Sequence, residues 1–176
     1  EDAQVMGEWA GLGYYARAAR KTGRAGDFFT SVDVGPIFGE LLARQFGEMW
    51  RLLEKRDGSL FREGPAKKTP VPFFDLVEAG AGNGRLSRDV LDAAQRTDPE
   101  FYRAVRLSLV ERSPAARAAQ AEVLGPHAAL LAHSAATLPD ETHGVIFANE
   151  LLDALPAHAV VMTANGLREV FVDAAN

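Results

Sequence analysis

The sequence of 176 residues contains no cysteine, which excludes disulfides and thiolate metal sites and allows a reducing compartment. Long apolar runs are missing too. No stretch approaches the ~20 residues that a membrane-crossing helix needs, and the amino-terminal region lacks the apolar core of a secretory signal. Basic charge is in short supply: 19 Lys and Arg face 24 Asp and Glu, for a formal net charge of −5. Beyond local patches such as Lys67-Lys68 this offers no field for a polyanion, so nucleic acid is a disfavoured partner. His127, His133, His143 and His158 are scattered without ligand spacing, which speaks against a metal site. There is no internal repeat, and no Gly-Lys-Ser/Thr closes a glycine turn as a P-loop requires. What is present is a hydrophobic content of 47%, enough for one sizeable core. Glu1 in place of Met, and strand-like residues Val170 to Asp173 at the other end, suggest a piece of a longer protein.

The chain is organised around Phe73 to Leu86. Apolar residues from Phe73 to Val77 predict a buried parallel strand, and Gly80, Gly82 and Gly84 predict a sharp turn that a ligand can approach closely. Leu86, Val90 and Leu91 share a helical face beginning at Arg85. Unpaired N–H groups of that helix's first turn should point into the glycine turn, which suits a nucleotide-like ligand with an anionic group. A dinucleotide fingerprint would require glycine where Arg85 stands, so NAD is disfavoured. The pattern present is acid-x-Gly-x-Gly-x-Gly, headed by Glu78, and it resembles motif I of class I S-adenosylmethionine (SAM) methyltransferases. On that resemblance Gly80, Gly82, Asn83 and Gly84 receive the methionyl end of the cofactor, and Glu78 accepts hydrogen bonds around the turn. The bland alternative is a strand-to-helix corner that binds nothing.

Before this core, Trp9, Tyr14, Tyr15 and a basic run ending at Arg24 predict loop with some helix, and Gly26 to Ser31 predicts a turn holding Phe28 and Phe29. From composition those two rings would simply pack under the domain. Ser31 or Asp33 can cap a long amphipathic helix to about residue 55, with Val34, Ile37, Phe38, Leu41, Leu42, Met49 and Leu53 as its apolar stripe. Residues 57–72 read as a polar connector. After the core turn, a helix from Arg85 to about Arg96 should stop at Thr97-Asp98-Pro99, followed by a strand from Val105 to Val110. Glu111 lies at that strand's carboxyl end, where a carboxylate can accept both hydroxyls of a ribose; its bland reading is an acid at a helix start. Ser113 and Pro114 begin another helix, closed by Gly125-Pro126. A short strand over Ala129 to Ala132 would bring His133, Ser134 and Ala135 to the adenine edge. A fourth strand, Val145 to Ala148, delivers Asn149, Glu150 and Asp153 to a catalytic position, although helix capping competes as a role for Asn149 and Asp153. Asn165-Gly166 predicts a type I′ hairpin between the last two strands.

Three stretches converge on one family. Gly13-Tyr14-Tyr15 with Gly26 to Ser31 and Phe38 to Leu41, then Glu78 to Gly84, then Asn149-Glu150 with Asp153 to Pro156, together resemble the MidA-like SAM-dependent methyltransferases. The resemblance covers nearly the whole chain. It implies an α/β fold, a Rossmann-like class I sheet with helices on both faces, here a fragment lacking the carboxyl-terminal strands. Residues 1–72 would form a helical segment and connector packed on the core, and 73–176 an incomplete SAM-binding core ending in a β-hairpin. It also implies that Phe29, Thr30 and Ser31 wall the cofactor pocket, joining Glu78, the glycine turn, Glu111 and Ser134. Glu150, Asn149, Asp153 and Asp33 would be catalytic. Val32-Asp33 departs from the family's Pro-Glu at this point. Mitochondrial members dimethylate an arginine of a respiratory complex I subunit, so the resemblance implies SAM as cofactor, S-adenosylhomocysteine as product and a protein substrate. It suggests a bacterial cytoplasmic homologue, with the mitochondrial matrix as the alternative. The rival from another class is a silent methyltransferase-like assembly protein.

Overall fold

A computed structural model of the chain describes residues 35–55, 73–152, 155 and 157–171. Helix α1 (Ile37–Lys55) leads to strand β1 (Phe74–Ala79) and helix α2 (Arg85–Thr97). Then come α3 (Pro99–Ala104), β2 (Val105–Val110), α4 (Pro114–Leu124) and a 3-10 helix, Gly125–Leu130. The chain continues through β3 (Leu131–Ala135), β4 (Gly144–Ala148), β5 (Val160–Thr163) and β6 (Gly166–Glu169).

Four strands form a parallel sheet in the order β3-β2-β1-β4. β1 is central because its five leading residues are all buried, the pattern of a strand covered on both faces. Phe74 and Leu76 of β1 and Leu107 and Leu109 of β2 join Leu86, Val90 and Leu91 of α2, Phe101 of α3 and Leu124 of α4 in one apolar cluster. The chain leaves β1 for β2 on one side and pairs β1 with β4 on the other, so the order reverses at β1. In an open α/β sheet that reversal creates a crevice at the carboxyl ends of the strands.

The amino-terminal end of the sheet is held by charge. Arg106 grips the buried Asp75 through two bonds of 2.5 and 3.0 Å, and the same carboxylate accepts the His143 N–H at 2.8 Å. Burial pushes the Asp75 carboxyl up, but these partners outweigh it and hold it below its ordinary value. β4 is thereby set in register beside β1.

Several expectations shift. Thr97-Asp98-Pro99 ends α2 as expected, but Asp98 also caps α3 by accepting the Phe101 N–H at 3.3 Å, with Pro99 in the first turn. Residues 125–130 close into a 3-10 helix, so β3 begins at Leu131 rather than Ala129 and His133, Ser134 and Ala135 lie inside it. The buried face of α1 is also rotated from the expected stripe. Ala43 and Phe46 are buried and Phe38, Leu42, Met49 and Trp50 pack beside them, whereas Ile37, Leu41 and Leu53 are exposed. The β5–β6 hairpin forms, but Thr163 pairs with Gly166, so the central turn residues are Ala164 and Asn165, and neither has positive φ. A type I′ turn needs it at both central residues.

Candidate functional site

The three core glycines do different things. All have left-handed φ, +72° at Gly80, +52° at Gly82 and +84° at Gly84, a region costly to residues with a Cβ. A Cβ on Gly80 would lie 2.8 Å from Leu151 Cδ1, and one on Gly84 would lie 2.9 Å from Leu109 Cδ1. One on Gly82 would meet nothing within 4 Å. Gly84 thus seats α2 against the core, Gly80 lets the segment after β4 pack over the turn, and Gly82 presents bare backbone to open space. The turn is anchored to β2 by the Gly80 and Ala81 N–H groups, which both donate to the Val110 carbonyl, at 2.9 and 3.0 Å.

Glu111 closes the corner from the side. One carboxylate oxygen accepts the Gly82 N–H at 3.0 Å and the other the Ser113 N–H at 2.8 Å. A carboxylate has about four acceptor positions, so both oxygens retain capacity for a ligand's hydroxyls. The Arg117 guanidinium holds this turn by donating to the Glu111 and Arg112 carbonyls at 2.6 and 2.9 Å.

Glu78 faces inward. It is 4% exposed and accepts the Ser87 hydroxyl and the Ser87 backbone N–H. Burial raises its pKa, the Ser87 bonds lower it and the negative charge of Glu111 raises it further, leaving it at about 7. Glu78 therefore clasps the first turn of α2. Two N–H groups of the helix start, where unpaired donors were expected to point into the glycine turn, have partners in the chain: Ser87 N–H serves Glu78, and Arg85 N–H donates to Asn83 Oδ1 at 3.2 Å.

Sequence reasoning overlooked Gln120. It is fully buried in α4, its amide donates to the Gly82 carbonyl at 2.9 Å, and its oxygen accepts the Ser134 hydroxyl at 2.6 Å. The available signal was its spacing, four residues before the buried Leu124. Ser134 therefore bonds into the support of the glycine turn.

At the carboxyl end of β4, Asn149 is half-buried and Glu150 exposed. Glu150 has φ +50°, the one positive value at a described non-glycine residue, a conformation costing roughly 1–2 kcal/mol. An open cavity of about 360 Å³ lies beside Ala148, Glu150, Leu151 and Leu152. Leu151 against Gly80 ties this segment to the glycine turn, so the fold brings Asn149 and Glu150 to the crevice that Gly82 and Glu111 border. Asp33, Phe29, Thr30, Ser31 and Asp153 lie outside the described residues. Among the described residues, no cluster of three His, Cys, Asp or Glu side chains could hold a metal ion, and no helix is long and apolar enough to cross a membrane.

Residues 41–176 match the model of the family described as "Putative S-adenosyl-L-methionine-dependent methyltransferase". The chain is 30% identical over 183 aligned positions to "Protein arginine methyltransferase NDUFAF7, mitochondrial" of Mus musculus, covering 92% of this chain and 38% of that one. Its identity to the Drosophila melanogaster homolog of that protein is 33% over 177 positions, covering 88% and 36%. Among solved structures it resembles a COG1565 superfamily member from Burkholderia thailandensis bound to S-adenosyl-homocysteine, with a TM-score of 0.63 and 29% identity over 90% of this chain and 38% of that one. The chain thus spans little more than a third of the length of these relatives.

Proposed function

Since this chain belongs to the S-adenosyl-L-methionine-dependent methyltransferase family matched over residues 41–176, we propose that it carries the cofactor-binding part of a protein arginine N-methyltransferase. Arginine as acceptor is supported by the names of the mouse and fly relatives. A role in respiratory complex I assembly, in a bacterial cytoplasm or a mitochondrial matrix, follows from the family resemblance alone.

The carrying observation is the bare backbone of Gly82 facing open space beside the Glu111 carboxylate, at the crevice where the strand order reverses. That arrangement fits the cofactor. The glycine turn has room for its methionyl end, and Glu111 has acceptor capacity for its ribose hydroxyls. A bound SAM supplies an activated methyl group. The protein then has to hold the acceptor in line with that group and exclude water. A guanidinium stays protonated to a pH above about 12, so a carboxylate beside it both orients the charged group and aids loss of its proton. Glu150 is assigned that role, assisted by Asn149, with Asp153 and Asp33 as further carboxylates.

Calorimetric titration with S-adenosylhomocysteine tests the cofactor site. Micromolar binding, with no heat from NAD in a parallel run, is expected; absence of S-adenosylhomocysteine binding by folded chain would sink the site. With an arginine-containing acceptor protein, Glu150→Gln should lower methyl transfer by about 10²- to 10⁴-fold while S-adenosylhomocysteine affinity stays within about threefold.

A further inference from the structure

We propose that Gln120 is a positioning residue that locks the peptide between Gly82 and Asn83 so that the Asn83 N–H is offered to the carboxylate of the cofactor's amino-acid end. Ala81 to Gly84 form a four-residue turn closed by the Gly84 N–H donating to the Ala81 carbonyl at 2.9 Å. Gly82 has φ +52° and Asn83 has no positive φ, the signature of a type II′ turn. Its close relative, type I′, differs by rotation of the central peptide and needs positive φ at the second position, which asparagine tolerates. Local sequence therefore leaves two orientations of this peptide open.

Gln120 holds one of them. Its buried amide donates to the Gly82 carbonyl and keeps it inward at 2.9 Å, while its oxygen accepts the Ser134 hydroxyl at 2.6 Å. In a trans peptide the N–H points opposite to the C=O, so the Asn83 N–H is directed outward. No described residue accepts it. The adjacent Gly82 N–H is already taken by Glu111. The turn thus offers one outward backbone donor, and its direction depends on a side chain 38 residues on from Gly82.

This inference rests on the cofactor site proposed above, and its test separates the two. Wild type, Gln120→Met and Gln120→Glu are titrated with S-adenosylhomocysteine and with adenosine, which lacks the amino-acid end. Gln120→Met should weaken S-adenosylhomocysteine by about tenfold or more, as expected for a lost charge-assisted hydrogen bond, and adenosine by less than about twofold. In Gln120→Glu the introduced carboxyl donates to the Gly82 carbonyl only when protonated. Its S-adenosylhomocysteine affinity relative to wild type should therefore recover as pH falls from about 8 to about 5, and this comparison stands even if Gln120→Met does not fold. A purely packing role predicts equal losses for both ligands and no relative recovery with pH; that result overturns the role of Gln120. Wild-type chain that binds neither ligand overturns the cofactor site itself.

Discussion

Gly82 and Glu78 belong to one strand–turn–helix stretch but respond to substitution differently. Gly82→Val places a branched side chain at φ +52° and fills the space its backbone faces. The variant should lose roughly 1–2 kcal/mol of stability and all measurable S-adenosylhomocysteine binding; a folded variant with wild-type affinity in calorimetry would refute the assignment. Glu78 carries a pH dependence. Burial raises its pKa to about 7 from an ordinary 4.5, so between those pH values the folded chain holds a proton that the unfolded chain has released. The stability it contributes is full below pH 4.5, falls as pH rises toward 7 and is then constant. Glu78→Gln cannot ionise and should escape this loss. In urea unfolding the variant should gain on wild type by on the order of 1–3 kcal/mol between about pH 5 and 8, and a difference independent of pH would count against it. Both residues were legible in the sequence because the motif is contiguous. Gln120 was not, because its partners Gly82 and Ser134 come from a turn and a strand on either side of it in the chain, 38 residues before and 14 after.

Among the elements, α1 shows how a pattern can mark a helix and misplace its face. Apolar residues at helical spacing correctly predict a helix to about residue 55, yet the face that packs on α2 includes a glycine, which carries no hydrophobic signal. A Cβ on Gly39 would lie 2.8 Å from the Asp89 backbone carbon, so α1 crosses α2 at nearly bare backbone. Ala43 and Phe46 are then buried beside it while Leu41 turns outward. The crossing is fastened by Arg51, which makes two bonds of 2.7 and 2.8 Å to Asp98 at the α2–α3 junction. The Arg51 hydrogen bonds, aided by the N–H of Phe101, hold the Asp98 carboxyl below its ordinary pKa against a smaller opposing effect of burial. Gly39→Val should force α1 away and lower stability by about 1–3 kcal/mol, the usual cost of overpacking. A thermal melt unchanged from wild type would show that the helices do not meet as closely as described. The late start of β3 has a similar cause: the Ala-Ala-Leu run reads as strand, but Pro126 and the turn before it wind these residues into a 3-10 helix.

At the scale of the whole molecule, protection is unevenly distributed. Leu76, Val77, Leu107 and Leu109 are fully buried in neighbouring strands, whereas every residue of β5 and β6 is exposed. Hydrogen exchange should be slowest in peptides from β1 and β2 and fastest in the hairpin, because local opening costs least where little apolar surface is buried; equal protection in the two regions would contradict this hierarchy. The sequence by itself determined the strand, glycine turn and helix at 73–97, the acid after β2 and the polar pair after β4. These are contiguous patterns whose chemistry depends on neighbours in the chain. Only the tertiary structure decided which face of α1 is buried, that Glu78 clasps α2, and that Gln120 and Ser134 support the glycine turn. Those outcomes depend on contacts between elements far apart in sequence, where backbone approach and burial, rather than residue type, choose the partner.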